Sequence, residues 1–378
     1  MYSKYHQALE ILSLKSSKRI LPDPIPNNLV NFSSNDYLGL MNDEELKQSF
    51  IKENPISKWK LSSSSSRLLT GNSSPYKRLE AQMAIAFDRE ACLVYNSGYH
   101  ANIGILPSLT SNKDLIIADK LVHASLIDGI QLSQAEFRRF AHLDYDHLEQ
   151  ILSTNRDKYE QVFIVCESIY SMDGDLSDLQ KLVALKKKYN AYLYIDEAHA
   201  IGARGENGLG LCEEQNCIQE IDFIVGTFGK ALASYGAYIV CDDVIKQYLV
   251  NTSRSMIFTT ALPPLNIAWT SFVFERLASF KDLRQSLAIN SKVLAKNLDS
   301  DSESHIIPYI LGENDIAVSC SQYLRENGFY VLPIRHPSVP LGTARLRYSL
   351  AADISLESIS KVSNYLQSFI SKNESFVS

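Results

Sequence analysis

The chain contains 378 residues, enough to bury a large hydrophobic core and to form two domains. Hydrophobic residues make up 45% of the chain and charged residues 21%, as in ordinary globular proteins, and the net charge of −6 argues against a nucleic-acid-binding surface. No apolar run approaches the ~18 residues of a membrane span, and the polar N-terminus lacks the apolar core of a secretory signal. We therefore expect a cytoplasmic protein with no nucleic-acid or membrane partner.

The six cysteines are spread along the sequence without a Cys-x-x-Cys pair. Several stand inside apolar runs, so we predict free, buried thiols, which are stable in the cytoplasm. The spacing of Cys212 and Cys217 fits none of the usual zinc patterns. We predict no metal site.

The first part of the chain combines a helix, a connector and a short strand. Residues 1–20 place apolar side chains near helical spacing, and three prolines between residues 22 and 26 then exclude a helix. A short strand at Leu29–Phe32 follows. We assign residues 1–45 to an N-terminal helix and arm.

From about residue 75, helices and buried strands alternate. This alternation predicts a mainly parallel sheet covered by helices on both faces, with functional residues at the carboxyl ends of the strands. The predicted strands are 91–95, 114–118, 161–167, 191–196, 224–227 and 238–241, and the predicted helices are 75–83, 100–109, 125–133 and 176–189.

A long helical stretch is predicted from Pro264 to about Asp299. The last ~80 residues have the pattern of a smaller α+β unit that ends in a helix at 356–371. We therefore predict an α/β protein with a large domain at 46–265 and a small C-terminal domain at 266–378.

Asp196, His199 and Lys230 follow two of the predicted strands. Lys230 lies 34 residues after Asp196, the length of one further crossover. Pyridoxal phosphate chemistry uses a lysine for the Schiff base, a carboxylate for the ring nitrogen and a flat side chain over the ring. Taken singly, Lys230 fits a solvated strand-end lysine and Asp196 a turn or helix-capping residue. Together they predict a pyridoxal-phosphate enzyme, in which His199 can bond the phenolic oxygen of the ring.

The segment from Tyr95 to His100 and the residue Thr227 are candidates for binding a phosphate. Gly98 opens a predicted helix, whose unpaired N–H groups favour an anion, and the hydroxyl of Thr227 suits a phosphate oxygen. Tyr99 suits stacking on an aromatic cofactor, although simple packing explains an aromatic residue here equally well.

Other strand ends also carry polar side chains. His123 follows the strand around Ile116, and Glu167 and Ser171 follow another strand. A histidine at such a position can stack on a cofactor ring. Five strand ends that each carry a polar group are not expected from packing alone.

Arg345 alternates with apolar residues in a predicted strand and shares a face with Arg347. An arginine in this position can bind a substrate carboxylate through two hydrogen bonds. A charged residue at a strand edge explains the pattern equally well.

Considered together, these motifs resemble the α-oxoamine synthases, a pyridoxal-phosphate family with the aminotransferase-like fold (fold type I). The resemblance covers nearly the whole chain, in the segments 31–39, 96–99, 123–126, 170–175, 196–199, 227–230 and 342–347. One departure is the serine run Ser62–Ser66, which replaces most glycines of a family loop that shapes the acyl pocket. Serine lacks the freedom of glycine at positive φ.

The resemblance implies a role for each candidate residue. Lys230 would be the Schiff-base lysine, Asp196 would pair with the ring nitrogen, His199 would bond the ring oxygen and His123 would stack on the ring. The expected catalytic residues are thus Lys230, His123, Asp196 and His199; the cofactor would also contact Gly98, Tyr99, Glu167, Ser171 and Thr227, and the substrate would contact Arg19, Arg335, Ser338 and Arg345.

The resemblance also implies a homodimer with sites at the subunit interface, in which Thr259 and Thr260 reach the neighbouring site. The expected reaction is a decarboxylative condensation of an amino acid with an acyl thioester of coenzyme A or a carrier protein. We expect L-alanine and a pimeloyl thioester, as in biotin synthesis. The alternatives are glycine with an acetyl thioester, L-serine with a palmitoyl thioester and, more distantly, transamination, lyase chemistry or a non-enzymatic cofactor-binding regulator.

Overall fold

The computed structural model describes residues 2–372. Met1 and residues 373–378, which fall in the predicted first and third domains, lie outside the described residues. The strands are β1 Val30–Asn31, β2 Ala91–Tyr95, β3 Leu115–Asp119, β4 Glu136–Phe140, β5 Val162–Glu167, β6 Tyr192–Asp196, β7 Phe223–Thr227, β8 Ala237–Cys241, β9 Ile306–Gly312, β10 Phe329–Tyr330, β11 Pro333–Ile334 and β12 Ala344–Ser349.

Each helix predicted from the sequence has a counterpart within residues 2–372, although the ends differ, and several further helices were not predicted. They are α1 Ser3–Leu14, α2 Glu44–Glu53, α3 Ser74–Ala86, α4 Gly98–Leu109, α5 Ala124–Leu132, α6 Tyr145–Asn155, α7 Leu179–Tyr189, α8 Leu211–Glu214, α9 Asp243–Thr252, α10 Arg254–Ile257, α11 Pro264–Glu275, α12 Lys281–Asn297, α13 Asn314–Glu326 and α14 Leu356–Lys372.

The chain divides into two compact units. The first contains the residues up to Tyr37, the segment Ser171–Asp175 and the residues from Gln285 onward, and the second contains Leu38–Tyr170 and Leu176–Arg284. The domain boundaries at residues 45 and 265 stay a prediction.

The second unit is built on a seven-stranded sheet with the strand order β2-β8-β7-β6-β5-β3-β4. Only β8 runs antiparallel to its neighbours, so the other six strands are parallel and their carboxyl ends meet at one edge. Strands β2, β3, β5 and β8 are buried along their whole length, as their continuous apolar sequences require. The predicted mainly parallel sheet is confirmed.

Side-chain caps begin several helices of this unit at defined residues. The hydroxyl of Ser97 accepts a hydrogen bond from the backbone N–H of His100 at the start of α4. The carboxylates of Asp144 and Asp178 do the same for α6 and α7. These caps satisfy N–H groups that have no partner within the helix, and they end the preceding loops.

The first unit contains a three-stranded antiparallel sheet and a two-stranded parallel sheet. The order in the larger sheet is β11-β12-β9, and β1 pairs with β10 in the smaller one. Helix α13 packs against α14 and β12. The predicted α+β character of the C-terminal part is therefore confirmed.

Strand β4 does not appear among the strands predicted from the sequence. Its residues Glu136, Arg138 and Arg139 are exposed, and it lies at the edge of the sheet beside β3. An edge strand with charged side chains lacks the apolar run by which a buried strand is recognised, and the charges discourage pairing with another chain.

The long helix predicted from Pro264 to Asp299 is interrupted. Helix α11 ends at Glu275, and a 3₁₀ turn at Leu277–Phe280 precedes α12. The backbone N–H of Arg276 bonds to the carbonyl of Val273, and the guanidinium of the same residue donates to the carbonyl of Phe272. In a continuing α-helix, the carbonyl of Phe272 would accept the backbone N–H of Arg276. Here it accepts the guanidinium of Arg276 instead, so the helix ends without glycine or proline.

The N-terminal helix is shorter than the predicted range 1–20. Helix α1 spans Ser3–Leu14 and none of its described side chains is buried. All six cysteines are buried and free, as predicted. None of the helices within residues 2–372 is long and apolar enough to cross a membrane.

Candidate active site

Lys230 and His199 contact each other directly in the second unit. The Nζ atom of Lys230, in the loop after β7, lies 2.7 Å from Nε2 of His199, in the loop after β6. The side chain of His199 is buried, with 5% exposed. A contact this short is a hydrogen bond, in which one of the two nitrogens donates a proton and the other accepts it. This is the environment in which a lysine can act as a base.

Asp196 ends β6, and both of its carboxylate oxygens accept hydrogen bonds. Oδ1 accepts the backbone N–H of Ala198 and Oδ2 accepts the side-chain amide of Asn102, each at 2.9 Å. Only 6% of the residue is exposed. Two donors are thus directed at this buried carboxyl group, which is placed to pair with a protonated pyridine nitrogen.

His123 begins α5, and its ring is held by Ser125. The hydroxyl of Ser125 lies 2.7 Å from Nδ1 of His123, and the backbone N–H of Ser125 donates to the same atom at 3.2 Å. Burial, together with the nearby Lys230, lowers the pKa of His123, and the carboxylate of Asp196 opposes this shift. The ring is therefore held in one orientation and favoured as the neutral imidazole.

Glu167 lies directly beside Asp196, because β5 and β6 are neighbours in which these two residues are paired. Its Oε1 accepts the backbone N–H of His123. The side chain is buried, and desolvation together with the charge of Asp196 raises the pKa of Glu167 to about 8. Glu167 is therefore a neutral acid over much of the physiological pH range.

Gly98 and Thr227 lie together at the N-terminus of α4. A Cβ atom placed on Gly98 would come 3.8 Å from Cβ of Thr227 and would contact nothing else within 4 Å, so there is open space beside the threonine. The hydroxyl of Thr227 accepts the backbone N–H of Gly229 and donates to the carbonyl of Gly236. A helix N-terminus beside a hydroxyl and open space suits a phosphate group.

Tyr99 is half exposed, and its hydroxyl donates to Asp128 at a distance of 2.8 Å. Its expected contact with the cofactor stays a prediction. The second unit thus supplies an amine on Lys230, a carboxylate on Asp196 and open space beside Gly98 and Thr227. These are the groups that pyridoxal phosphate requires. The residues present therefore fit this cofactor.

Two arginines of β12 hold the segment Ser171–Asp175 in the first unit. Arg345 is buried and forms a salt bridge with Asp173, and its Nε donates to the carbonyl of Thr343. Arg347 donates to the backbone carbonyl of Ser171 at 2.6 Å. The shared face predicted for the two arginines is thus observed. In this structure the partner of Arg345 is a carboxylate of the chain itself.

Arg19, Arg335 and Ser338 form a second cluster in the first unit. The guanidinium of Arg19 donates to the hydroxyl of Ser338 at 2.8 Å, and the guanidinium of Arg335 donates to the carbonyl of Ser16 at 2.6 Å. Because Ile334 pairs with Arg345 across β11 and β12, all four predicted substrate residues belong to one part of this unit. Their contacts with a substrate stay a prediction.

The sequence interpretation missed Asn102, Tyr194 and Asp173. Asn102 lies on α4, where a polar residue looks like an ordinary helix position, but it is 1% exposed. A buried amide must find partners, and Asn102 bonds to Tyr194, Ser125 and Asp196.

Comparisons with known proteins establish the family. The model for class I and II aminotransferases matches residues 27–366. A protein of Glaesserella parasuis with the name "Putative 8-amino-7-oxononanoate synthase" is 54% identical over 94% of this chain and 98% of its own length. The chain belongs to the α-oxoamine synthase family.

Further relatives and solved structures agree. A protein of the same name from Pasteurella multocida is 52% identical, over 97% of this chain and 99% of its own. A serine palmitoyltransferase from Sphingomonas wittichii has a TM-score of 0.91 at 29% identity, covering 99% and 98% of the two chains. The 8-amino-7-oxononanoate synthase from Francisella tularensis has a TM-score of 0.77 at 28% identity, covering 92% and 100%.

The α-oxoamine synthase described here is a pyridoxal-phosphate-dependent acyltransferase of fold type I. A serine palmitoyltransferase from S. paucimobilis with 26% identity and a TM-score of 0.90, covering 98% of both chains, has this cofactor bound together with myriocin. The expected family, fold class and cofactor are therefore confirmed.

Proposed function

We propose that this α-oxoamine synthase condenses L-alanine with a pimeloyl thioester and releases 8-amino-7-oxononanoate, carbon dioxide and a free thiol. The relatives with that printed name support the choice of substrates, since they share half or more of their residues with nearly the whole chain. The observation that carries the chemistry is the direct contact of Lys230 with His199 beside the hydrogen-bonded carboxylate of Asp196.

In this proposal Lys230 holds the cofactor through its amine and then moves the proton of the substrate. Bound pyridoxal phosphate supplies an electron sink for charge at the carbon beside the amino nitrogen. The amine of Lys230 removes the proton from that carbon, and His199 keeps the amine oriented through their 2.7 Å contact. Asp196 would pair with the ring nitrogen and maintain its positive charge, and Gly98, Thr227 and Ser171 would contact the cofactor, partly through its phosphate.

The carbon–carbon bond then forms between the α-carbon of the amino acid and the carbonyl carbon of the thioester, and the thiol leaves. Loss of the carboxyl group as carbon dioxide and return of a proton to the α-carbon complete the aminoketone. Arg345 binds the substrate carboxylate, and Arg19, Arg335 and Ser338 contact the substrate. Correct alignment of the breaking bonds is worth several kcal/mol, on the order found for well-oriented reactions.

The salt bridge with Asp173 occupies part of the guanidinium of Arg345, the group expected to bind the substrate carboxylate. A guanidinium has five N–H donors, of which Thr343 and Asp173 do not use all. We propose that the amino acid displaces Asp173, so that the substrate exchanges one carboxylate partner of Arg345 for another.

A serine palmitoyltransferase reaction is the second candidate, because structures of such enzymes superpose on the chain with TM-scores of 0.90 and 0.91. Both reactions release a thiol. Thiol release from the purified holoenzyme, measured with each substrate pair in turn, therefore discriminates between them. We expect release with pimeloyl-coenzyme A and L-alanine and none with palmitoyl-coenzyme A and L-serine or acetyl-coenzyme A and glycine. Release only with one of the other pairs would contradict the proposed substrates, and the Lys230→Ala variant serves as the inactive control.

We also propose a cytoplasmic homodimer in which Thr259 and Thr260 reach the site of the neighbouring subunit. Within one chain, the side-chain amide of Asn96 donates to the hydroxyl of Thr259 and to the carbonyl of Thr260, next to the phosphate-binding turn. A second copy of the chain that contacts Thr259 and Thr260 would therefore lie close to the proposed cofactor site. Light scattering during gel filtration should give twice the chain mass of 42.5 kDa, and a single chain mass would contradict the proposal.

A further inference from the structure

A chain of buried hydrogen bonds joins Asp196 to His123 through Asn102. The hydroxyl of Tyr194 donates to Oδ1 of Asn102 at 2.6 Å. Burial raises the pKa of Tyr194 well above its ordinary value, so this hydroxyl keeps its proton and donates it. Because Oδ1 is the accepting atom, the orientation of the Asn102 amide is fixed and its two N–H groups point the other way.

The two N–H groups of Asn102 have different partners. One donates to Oδ2 of Asp196 and the other to Oγ of Ser125, each at 2.9 Å. Since the oxygen of Ser125 accepts from Asn102, its own proton is available for Nδ1 of His123, 2.7 Å away. The backbone N–H of Ser125 is directed at the same nitrogen. Nδ1 therefore accepts, and a neutral His123 carries its proton on Nε2.

The charged groups around His123 are divided in their effect. Asp196 and Asp128 favour the protonated ring, whereas burial and Lys230 oppose it. Glu167 accepts the backbone N–H of His123. Within residues 2–372, no arginine is among the groups that shift the pKa of His123. Protonation of Nδ1 would also remove the acceptor that Ser125 needs. The hydrogen bonds thus reinforce the neutral state.

We propose that Asn102 is a positioning residue that orients Asp196 and sets the charge and tautomer of His123, the two side chains expected to contact the cofactor ring. Through one N–H it holds the carboxyl group of Asp196 in place, and through the other it directs Ser125 to keep His123 neutral with its proton on Nε2. An anion suits the protonated ring nitrogen, and a neutral imidazole can lie over a positively charged ring without repulsion. The inference rests on the proposed roles of Asp196 and His123.

The first test is the tautomer of His123, measured by ¹⁵N NMR on the full-length chain labelled at histidine, with and without cofactor. We expect the Nε2–H form in the unmodified protein and a mixture of tautomers in Asn102→Ala and Ser125→Ala. The His123→Gln variant assigns the signal. Asn290→Ala is a matched control, because Asn290 is also buried and donates two hydrogen bonds, but to the backbone carbonyls of Ala351 and Ile354.

The second test separates the two arms of Asn102 through the cofactor. Loss of a hydrogen bond to a buried carboxylate in Asn102→Ala should weaken pyridoxal phosphate binding about tenfold and shift the pH titration of its absorbance. Ser125→Ala should change the His123 tautomer but leave the absorbance titration close to that of the unmodified protein.

An unchanged tautomer in both variants, or an equal change in Asn290→Ala, would overturn the proposal. The NMR result in the cofactor-free chain does not depend on any substrate, so a failure of the proposed reaction would leave it standing. A changed tautomer with an unchanged absorbance titration in Asn102→Ala would overturn the arm that acts through Asp196.

Discussion

Replacement of Glu167 by glutamine should stabilise the protein increasingly as the pH rises. The ordinary pKa of a glutamate is 4.5, and burial beside Asp196 raises that of Glu167 to about 8. Between these values the unfolded chain releases the proton that the folded chain retains, so stability falls as the pH rises. Each pH unit costs about 1.4 kcal/mol, which amounts to roughly 3 kcal/mol by pH 7.

Glutamine has nearly the shape of the protonated glutamate and does not ionise, and its carbonyl can accept the N–H of His123 as Glu167 does. Urea unfolding of both full-length proteins without cofactor, at pH 5, 6, 7 and 8, should show a gap that widens by about 1 kcal/mol per pH unit. Glu160→Gln is the matched control, since Glu160 is exposed and forms a salt bridge with the exposed Lys113. A gap that stays constant with pH would contradict a raised pKa of Glu167 in the folded protein.

Three further perturbations test other parts of the structure. Ser64 has a φ of +51°, so Ser64→Gly should raise the free energy of unfolding by about 0.5 kcal/mol. Ser66 has a φ of −72°, so Ser66→Gly should lower the free energy of unfolding instead. Urea unfolding that gives the reverse order would contradict this expectation. The buried Glu80 binds Arg67 and Lys246, so Glu80→Ala should cost about 3–5 kcal/mol in the same assay, and a cost below about 1 kcal/mol would show that water compensates. Asp173→Asn should lower the KM for the amino acid severalfold, because a neutral amide competes poorly for Arg345; an increased KM in steady-state assays would indicate that Asp173 orients the arginine instead.

The parts of the fold that follow from local sequence were predictable. Continuous apolar runs such as the one before Asp196 identify strands that are buried on both faces, and the polar residues after them mark the edge of the sheet at which the site lies. Strand β4 was not predictable in this way, because it lies at the exposed edge of the sheet. Its residues Glu136, Arg138 and Arg139 face solvent and therefore give no apolar run.

The parts of the candidate site that depend on tertiary contacts were not predictable from residue patterns. Asp173 and Arg345 are 172 residues apart in the sequence, and neither motif indicates that one neutralises the other. Asn102 likewise reaches Asp196 across 94 residues. Sequence patterns revealed the residues expected to touch the cofactor, whereas the residues that orient them became visible only in the folded structure.

The fate of the amino-acid carboxyl group tests the proposed reaction most directly. The measurement is the release of labelled carbon dioxide from L-[1-¹³C]alanine by the holoenzyme with pimeloyl-coenzyme A, followed beside thiol release. We expect one carbon dioxide for each thiol and an aminoketone without the label. Labelled pyruvate formed without thiol, as transamination would give, or thiol released without carbon dioxide, would contradict it.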